Sequence, residues 1–302
     1  MTKQAKQGHL LAFGTIVVWA ITFVATTYVL ADFTPLDVLL VRMVIAVLAL
    51  YAVKPKFLKL KSPKHEWCFA GAGIFGVTLY FMLENYALTY TYSGNCSVIV
   101  STAPFFVAIV MRIVGGDEKL TKFFFIGFVV AILGVGLIAF NGQALQLNPL
   151  GDLLSLLAAM SWAGYNLFIK KMENYGYDTL MSTRRIFLYG LLFSMMIMPF
   201  TPHHFTFSAF FKPMNLLSFL FLGLLASALC FVAWSKAISK IGAVKTSVYI
   251  YLSPVITIVM AWLLLGDPFL PTTIAGAVLA LIGLVISQKG AVKTTLPKEG
   301  DL

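Results

Sequence analysis

Charge is scarce in this chain. Asp, Glu, Lys and Arg together make up 11% of its 302 residues, against about 25% in an average soluble domain. Acid is the scarcer sign, with 12 Asp and Glu against 22 Lys and Arg. Cysteine is nearly absent, and Cys68, Cys96 and Cys230 all fall in apolar runs without metal-like spacing, which excludes a disulfide framework or a zinc site. The four histidines, His9, His65, His203 and His204, lie outside the apolar runs or at their edges, so a histidine proton relay within a membrane is excluded. No Gly-x-x-x-x-Gly-Lys loop occurs, which argues against direct driving by ATP, and no cofactor is expected.

What the chain has instead is apolar surface. It is 60% hydrophobic with a mean hydropathy of +0.90, more than one compact domain could bury, since cores stop growing near about 250 to 300 residues. Part of its solvent must be lipid. A spanning helix needs about 20 apolar residues, and ten such runs fit between the charges and turns: 10–30, 35–53, 67–90, 95–114, 123–140, 150–169, 179–199, 214–235, 243–265 and 272–287. The first is long for a signal-peptide core and no small-residue cleavage site follows it, so it reads as a retained span.

The +10 formal charge could indicate an acidic partner such as nucleic acid. Sorted by loop, however, 20 of the 22 basic residues fall on the side shared by the two termini, with Lys212 opposite and Arg42 inside span 2. By the positive-inside rule both termini are cytoplasmic. The excess of base thus encodes orientation, and no nucleic-acid partner is expected.

The chain also repeats itself. Gly8 precedes Trp19 by eleven residues and Gly151 precedes Trp162 by eleven; Arg42 follows Trp19 by 23 and Arg185 follows Trp162 by 23. Ala87 to Pro104 spans the same 17 residues as Ala237 to Pro254, and Gly116-Asp117 matches Gly266-Asp267. Gly127, Ala131 and Gly134 then match Gly276, Ala280 and Gly283. The units are residues 8–142 and 150–288, followed by a cytoplasmic tail at 289–302. Five spans per unit is an odd number, so the second copy starts on the opposite side of the membrane. Inverted halves are a recurrent transporter architecture, with substrate held near mid-membrane between them.

Two five-helix repeats, the sequence Ala87-Leu88-Thr89-Tyr90-Thr91-Tyr92-Ser93-Gly94, the Ser-x-x-Pro pattern ending at Pro104 and the small-residue pattern Gly127 to Gly134 resemble the EamA-type branch of the drug/metabolite transporter superfamily. The resemblance covers roughly residues 8 to 288. It implies an all-α, ten-helix carrier of the bacterial plasma membrane that moves small metabolites, often amino acids or related compounds, usually outward.

Glu84 is the one acidic residue well inside a span, and such a carboxylate needs a partner or a function. It could accept a proton, face a substrate ammonium, or pair with Arg42 at comparable depth; the second repeat has Trp234 in its place. Arg42 and Arg185 match across the repeats, and the family commonly has an Arg here. They read as structural, holding helix-end carbonyls or headgroups, with anion binding as the alternative. Pro104 and Pro254 leave the carbonyls of Val100 and Ile250 short of their helical bonds, which points to spans 4 and 9 lining the interior with Ser97, Ser101, Thr102, Ser247, Tyr251 and Ser253 nearby. Those side chains either contact substrate or bond neighbouring helices.

Trp19 with Phe23, and Trp162 with Asn166, share helix faces at i and i+4. Lying mid-span, they read as an aromatic cavity wall to which Tyr80 and Asn95 could belong, the alternative being ordinary packing. The small-residue stripes are packing faces, within a protomer or in a homodimer. The leading function is alternating-access transport of a small molecule, driven by protons or by the substrate gradient alone. The competing class, an integral membrane enzyme modifying lipids, should show paired carboxylates near one face. Asp117-Glu118 is the one adjacent acidic pair and reads as a turn, so no enzyme activity is expected.

Overall fold

The computed structural model describes residues 2–91, 93–114, 121–139, 148–265 and 271–290. Within them the chain forms ten long helical segments in the expected order, with a short helix at Phe207–Phe210 between the seventh and the eighth. Span 1 is Lys3–Val29, span 2 Pro35–Val53, span 3 Pro63–Tyr90, span 4 Ser93–Val100 continued by Ala103–Ile113, and span 5 Lys122–Ala139. Span 6 is Pro149–Glu173, span 7 Thr179–Phe200, span 8 Pro213–Ile241, span 9 Ala243–Ser247 continued through Ser253–Leu265, and span 10 Pro271–Gly290. Seven of these are long and apolar enough to cross a membrane; Lys122–Gly134 and Val278–Ser287 are shorter apolar stretches among the described residues. The 116–118 and 266–267 turns and the tail from 291 onward lie outside the described residues.

Several helices outrun their apolar stretches, because a helix ends at a cap and not at the edge of the hydrocarbon. Thr2 caps span 1 by accepting from Ala5 N at 3.2 Å. Asn148 caps span 6 through Leu150 N and Gly151 N. Span 8 stops at Gly242, whose φ of +88° suits a residue without Cβ. Asp37 completes a capping box with Thr34 on span 2 and also accepts from His204 N at 3.1 Å.

Packing follows the inversion. Span 1 lies against spans 8 and 9, as span 6 lies against spans 3 and 4; span 2 meets span 8 as span 7 meets span 3. Spans 2 and 7 pair with each other, and so do spans 5 and 10. The last pair locates the small-residue stripes within one protomer. A Cβ on Gly283 would come within 2.6 Å of Gly127 O and 2.7 Å of Ala131 Cα, and one on Gly134 within 2.6 Å of Gly276 O. The outer faces carry Phe125, Val129, Leu133, Leu281 and Val285, all exposed. In water such a surface would aggregate; here it faces lipid.

The regular winding breaks at matched places. Span 3 is π-helical over Ile74–Leu79 and span 8 over Phe221–Leu229. Span 4 breaks at Ser101-Thr102, just before Pro104, and span 9 tightens to a 3-10 turn over Val248–Leu252, just before Pro254. A ring without an N–H cannot continue the ladder behind it, and the breaks fall where that donor is lost.

The connections clasp the two halves together. Where span 2 ends and span 7 begins, Arg184 donates to Lys54 O at 2.7 Å and to Lys56 O, and its guanidinium lies 3.8 Å from the centre of the Tyr51 ring. Arg185 grips Glu66 with two hydrogen bonds, at 2.8 and 2.7 Å. His65 stacks on Tyr175 at 3.7 Å. Asp178 caps span 7 through Met181 N at 3.0 Å and pairs with Lys54 at 2.7 Å. On the opposite face Asp32 accepts from Lys212 at 2.9 Å and from Asn215 at 2.7 Å.

Two outcomes follow from this packing. Gly283→Val forces the backbones of spans 5 and 10 apart and should cost about 1–3 kcal/mol, read as a lower thermal midpoint in detergent; Gly136→Ala, where a Cβ meets nothing within 4 Å, should be neutral. Burial raises the Asp178 carboxyl, but the Lys54 bond and the Met181 N–H outweigh it, so its folded pKa lies below 3.8. Its contribution is therefore present above pH 3.8 and lost as pH falls through the folded value. Asp178→Ala should lose about 1 kcal/mol at neutral pH, with the gap to the parent closing in acid.

Candidate functional site

The tryptophans that mark the repeat meet between the halves. Trp19 and Trp162 stand edge to face with ring centroids 5.1 Å apart. Phe231 lies 5.4 Å from Trp19 and 5.8 Å from Trp162, closing an aromatic wall. The Trp19 indole N–H donates to Ala226 O at 2.8 Å, a carbonyl inside the π-helical stretch of span 8. The matching stretch of span 3 is served differently: Ser161 Oγ donates to Phe75 O at 2.7 Å, and the buried Trp162 Nε1 has no hydrogen-bond partner.

Against this wall lies a cavity with about 490 Å³ of atom-free space, counting its opening. Span 1 supplies Ile16, Trp19, Thr22 and Phe23, and span 3 supplies Tyr80, Phe81 and Glu84. Arg42, Val100, Trp162, Phe231, Ile250 and Ser253 complete it. Both halves contribute, and the two residues whose carbonyls the prolines disturb, Val100 and Ile250, are among the lining.

Two buried charges face this space. Tyr80 donates to Glu84 Oε1 at 2.9 Å, and Tyr80 packs 5.1 Å from Trp162. Arg42 lies with its guanidinium carbon 3.9 Å from the centre of Phe81, donates through Nε to Ser227 Oγ at 3.1 Å, and leaves Nη1 unpartnered. Glu84 is 4% exposed and Arg42 1%. The ion pairs among the described residues are Lys54–Asp178, Lys170–Glu173, Arg185–Glu66 and Lys212–Asp32, and Arg42–Glu84 is not one of them. Of the alternatives open for Glu84, a direct ion pair with Arg42 is not formed, although the two charges are near enough to act on each other and both line the cavity.

The matched arginines also part company. Arg185 holds Glu66 and donates to Leu58 O at 3.3 Å, a structural role at a helix end, and its neighbour Arg184 is the more deeply buried. Arg42 instead lines the cavity and touches no helix-end carbonyl. Its relations to spans 3 and 8 were hidden from sequence reasoning, because Phe81 and Ser227 reach it only through tertiary packing.

Of the remaining expected site residues, Trp19, Phe23, Tyr80, Glu84, Trp162 and Ser253 come together on the cavity. Asn166 and Trp234 do not reach it; they form the layer behind, with Trp234 Nε1 donating to Asn166 Oδ1 at 3.1 Å and Asn166 Nδ2 donating to Trp162 O at 2.7 Å. Ser97, Ser101 and Ser247 turn back on their own helices, donating to Gly94 O, Val98 O and Val244 O at 2.6 to 2.8 Å. Thr102 does the same with Ile99 O at 2.7 Å, so that beside the break before Pro104 the hydroxyls serve local carbonyls. Tyr251 is fully buried off the cavity, 6.5 Å from Phe128 between ring centres. The Asn95 side chain lies outside the described residues. Ile16, Thr22, Phe81 and Phe231 were missed, since apolar and hydroxyl side chains in an apolar span carry no signal of their own; Thr22 and Phe81 stand three and one residues from positions that did.

No cluster of His, Cys, Asp and Glu able to hold a metal occurs among the described residues. The chain matches the EamA-like transporter family twice, over residues 6–140 and 149–288. An uncharacterized transporter of Archaeoglobus fulgidus is 30% identical over 90% of this chain and 95% of its own length. The uncharacterized transporter YdfC of Bacillus subtilis is 28% identical over 98% of this chain and 92% of its own. A probable terminal-alkyne amino-acid exporter of Streptantibioticus cattleyicolor is 26% identical over 91% of each. A solved crystal structure superposes with a TM-score of 0.75 at 16% identity, covering 94% of this chain and 97% of the other, which shows the common fold. Two repeat-length matches on an all-helical, lipid-facing fold identify the chain as a member of the EamA-like transporter family.

Proposed function

We propose that this membrane transporter exports small amino-acid-like metabolites by alternating access, without ATP. The observation that carries the reading is the cavity between the halves, walled by the repeat-related Trp19 and Trp162 and holding two buried charges. A carrier needs two states that differ in which side reaches the site, and two inverted halves of near-equal structure can exchange roles at small cost in free energy. The amino-acid exporter among the relatives supports the substrate class. The basic loops support a plasma-membrane orientation with both termini cytoplasmic. Glu84, as the carboxylate on the cavity, is the candidate for coupling to protons.

Counterflow tests the reading. Proteoliposomes preloaded with unlabelled leucine and phenylalanine should transiently accumulate the labelled amino acids from outside, with no ATP present, and cells expressing the protein should release them faster than cells without it. Absence of both effects would overturn the proposal. Equal rates for Glu84→Gln and the parent across several pH values would remove Glu84 from coupling.

A further inference from the structure

The two charges on the cavity make no direct ion pair with each other. Arg42 and Glu84 lie on neighbouring spans, 2 and 3, at opposite ends of a short ring stack. The Arg42 guanidinium lies over Phe81, Phe81 packs 5.2 Å from Tyr80, and Tyr80 holds Glu84. Each charge is only partly served. Serine takes one guanidinium nitrogen, leaving Nη1 of a 1% exposed residue without a partner, and tyrosine takes one carboxylate oxygen. An unmet charge in such a site is expensive. A ligand that meets both at once fills the open hydrogen-bonding positions of both, whereas a ligand carrying one charge meets only one of them.

We propose that Arg42 and Glu84 are the specificity-determining residues of the site, Arg42 taking the carboxylate and Glu84 the ammonium of a zwitterion, with the apolar part of the ligand on the Trp19 and Trp162 wall. This rests on the reading of the cavity as the transport site, and it narrows the substrate to compounds bearing both charges. Arginine suits the role because its planar fork meets a carboxylate with parallel hydrogen bonds.

The test is equilibrium binding to the purified full-length protein, read by the fluorescence of the wall tryptophans, so that it stands apart from transport. The probes are L-leucine and L-phenylalanine, with 3-phenylpropionate lacking the amine and phenethylamine lacking the carboxylate. The parent should bind the amino acids about tenfold or more tightly than either analogue, the margin expected of one charge-assisted hydrogen bond. Arg42→Gln should bring phenethylamine level with phenylalanine, and Glu84→Gln should do the same for 3-phenylpropionate. Arg42→Lys keeps the charge and should keep the preference, so a poorly folded glutamine variant at one end still leaves the lysine variant and the other end to decide. Failure of both amino acids to bind, equal binding of all four probes, or parallel losses for every probe in both variants would overturn the proposal. Binding without counterflow would instead sink the transport reading and leave this one standing.

Discussion

Inside a bilayer no water is at hand to complete a broken hydrogen bond, and every departure from regular helix must be repaired by the protein itself. This constraint organises the interior. Carbonyls in the irregular stretches are met from specific quarters: Ala226 O by the Trp19 indole, Phe75 O by the Ser161 hydroxyl, and Val98 O and Ile99 O, just before the span 4 break, by Ser101 and Thr102. The first two of these bonds tie helices of opposite halves to one another. The same departures from regularity that make room for a cavity therefore also supply the bonds that close its walls.

The two halves share a plan and differ in chemistry. Trp19 and Trp162 are equivalent by position, yet one indole is bonded and the other is not. Arg42 and Arg185 are equivalent by position, yet one lines the cavity and the other is locked to Glu66 in a clasp. Glu84 has Trp234 as its counterpart. Symmetry gives a carrier two states of similar energy, whereas recognition of an asymmetric molecule requires unlike groups on the two sides of one site. The shared plan lies in the backbone packing, and the differences lie in a handful of side chains.

Much of the fold was legible in the sequence because lipid imposes a crude code of run length, and the repeated spacing divides the runs into two sets of five. Spacing alone brought Trp19 and Trp162 forward as partners, and the scarcity of acid singled out Glu84. The π-helical stretches were not legible, since Ile74–Leu79 and Phe221–Leu229 read as ordinary apolar helix and their winding is set by the side chains packed against them. Gly76, against which the Tyr165 ring lies, is a trace of that packing visible only in three dimensions. The serines near the prolines misled for a related reason: a hydroxyl beside a broken helix has a nearby carbonyl to satisfy before it can serve anything else. Asn166 and Trp234 share a face with cavity residues but bond to each other one layer back.

The exposed faces of the helices have a mechanical consequence. In the seven helices long and apolar enough to cross, between 33% and 50% of the apolar stretch is buried within the protein, and apolar side chains such as Leu48, Leu192 and Leu225 are left exposed to acyl chains. Any rocking of one half against the other must move that boundary, and matching it to a bilayer of different thickness costs fractions of a kcal/mol per Å. Spread over many helices, such small terms are comparable with the difference between two states of a symmetric carrier. The surrounding lipid is in this sense a working part of the molecule: its thickness and stiffness enter the balance between states on the same footing as the hydrogen bonds inside.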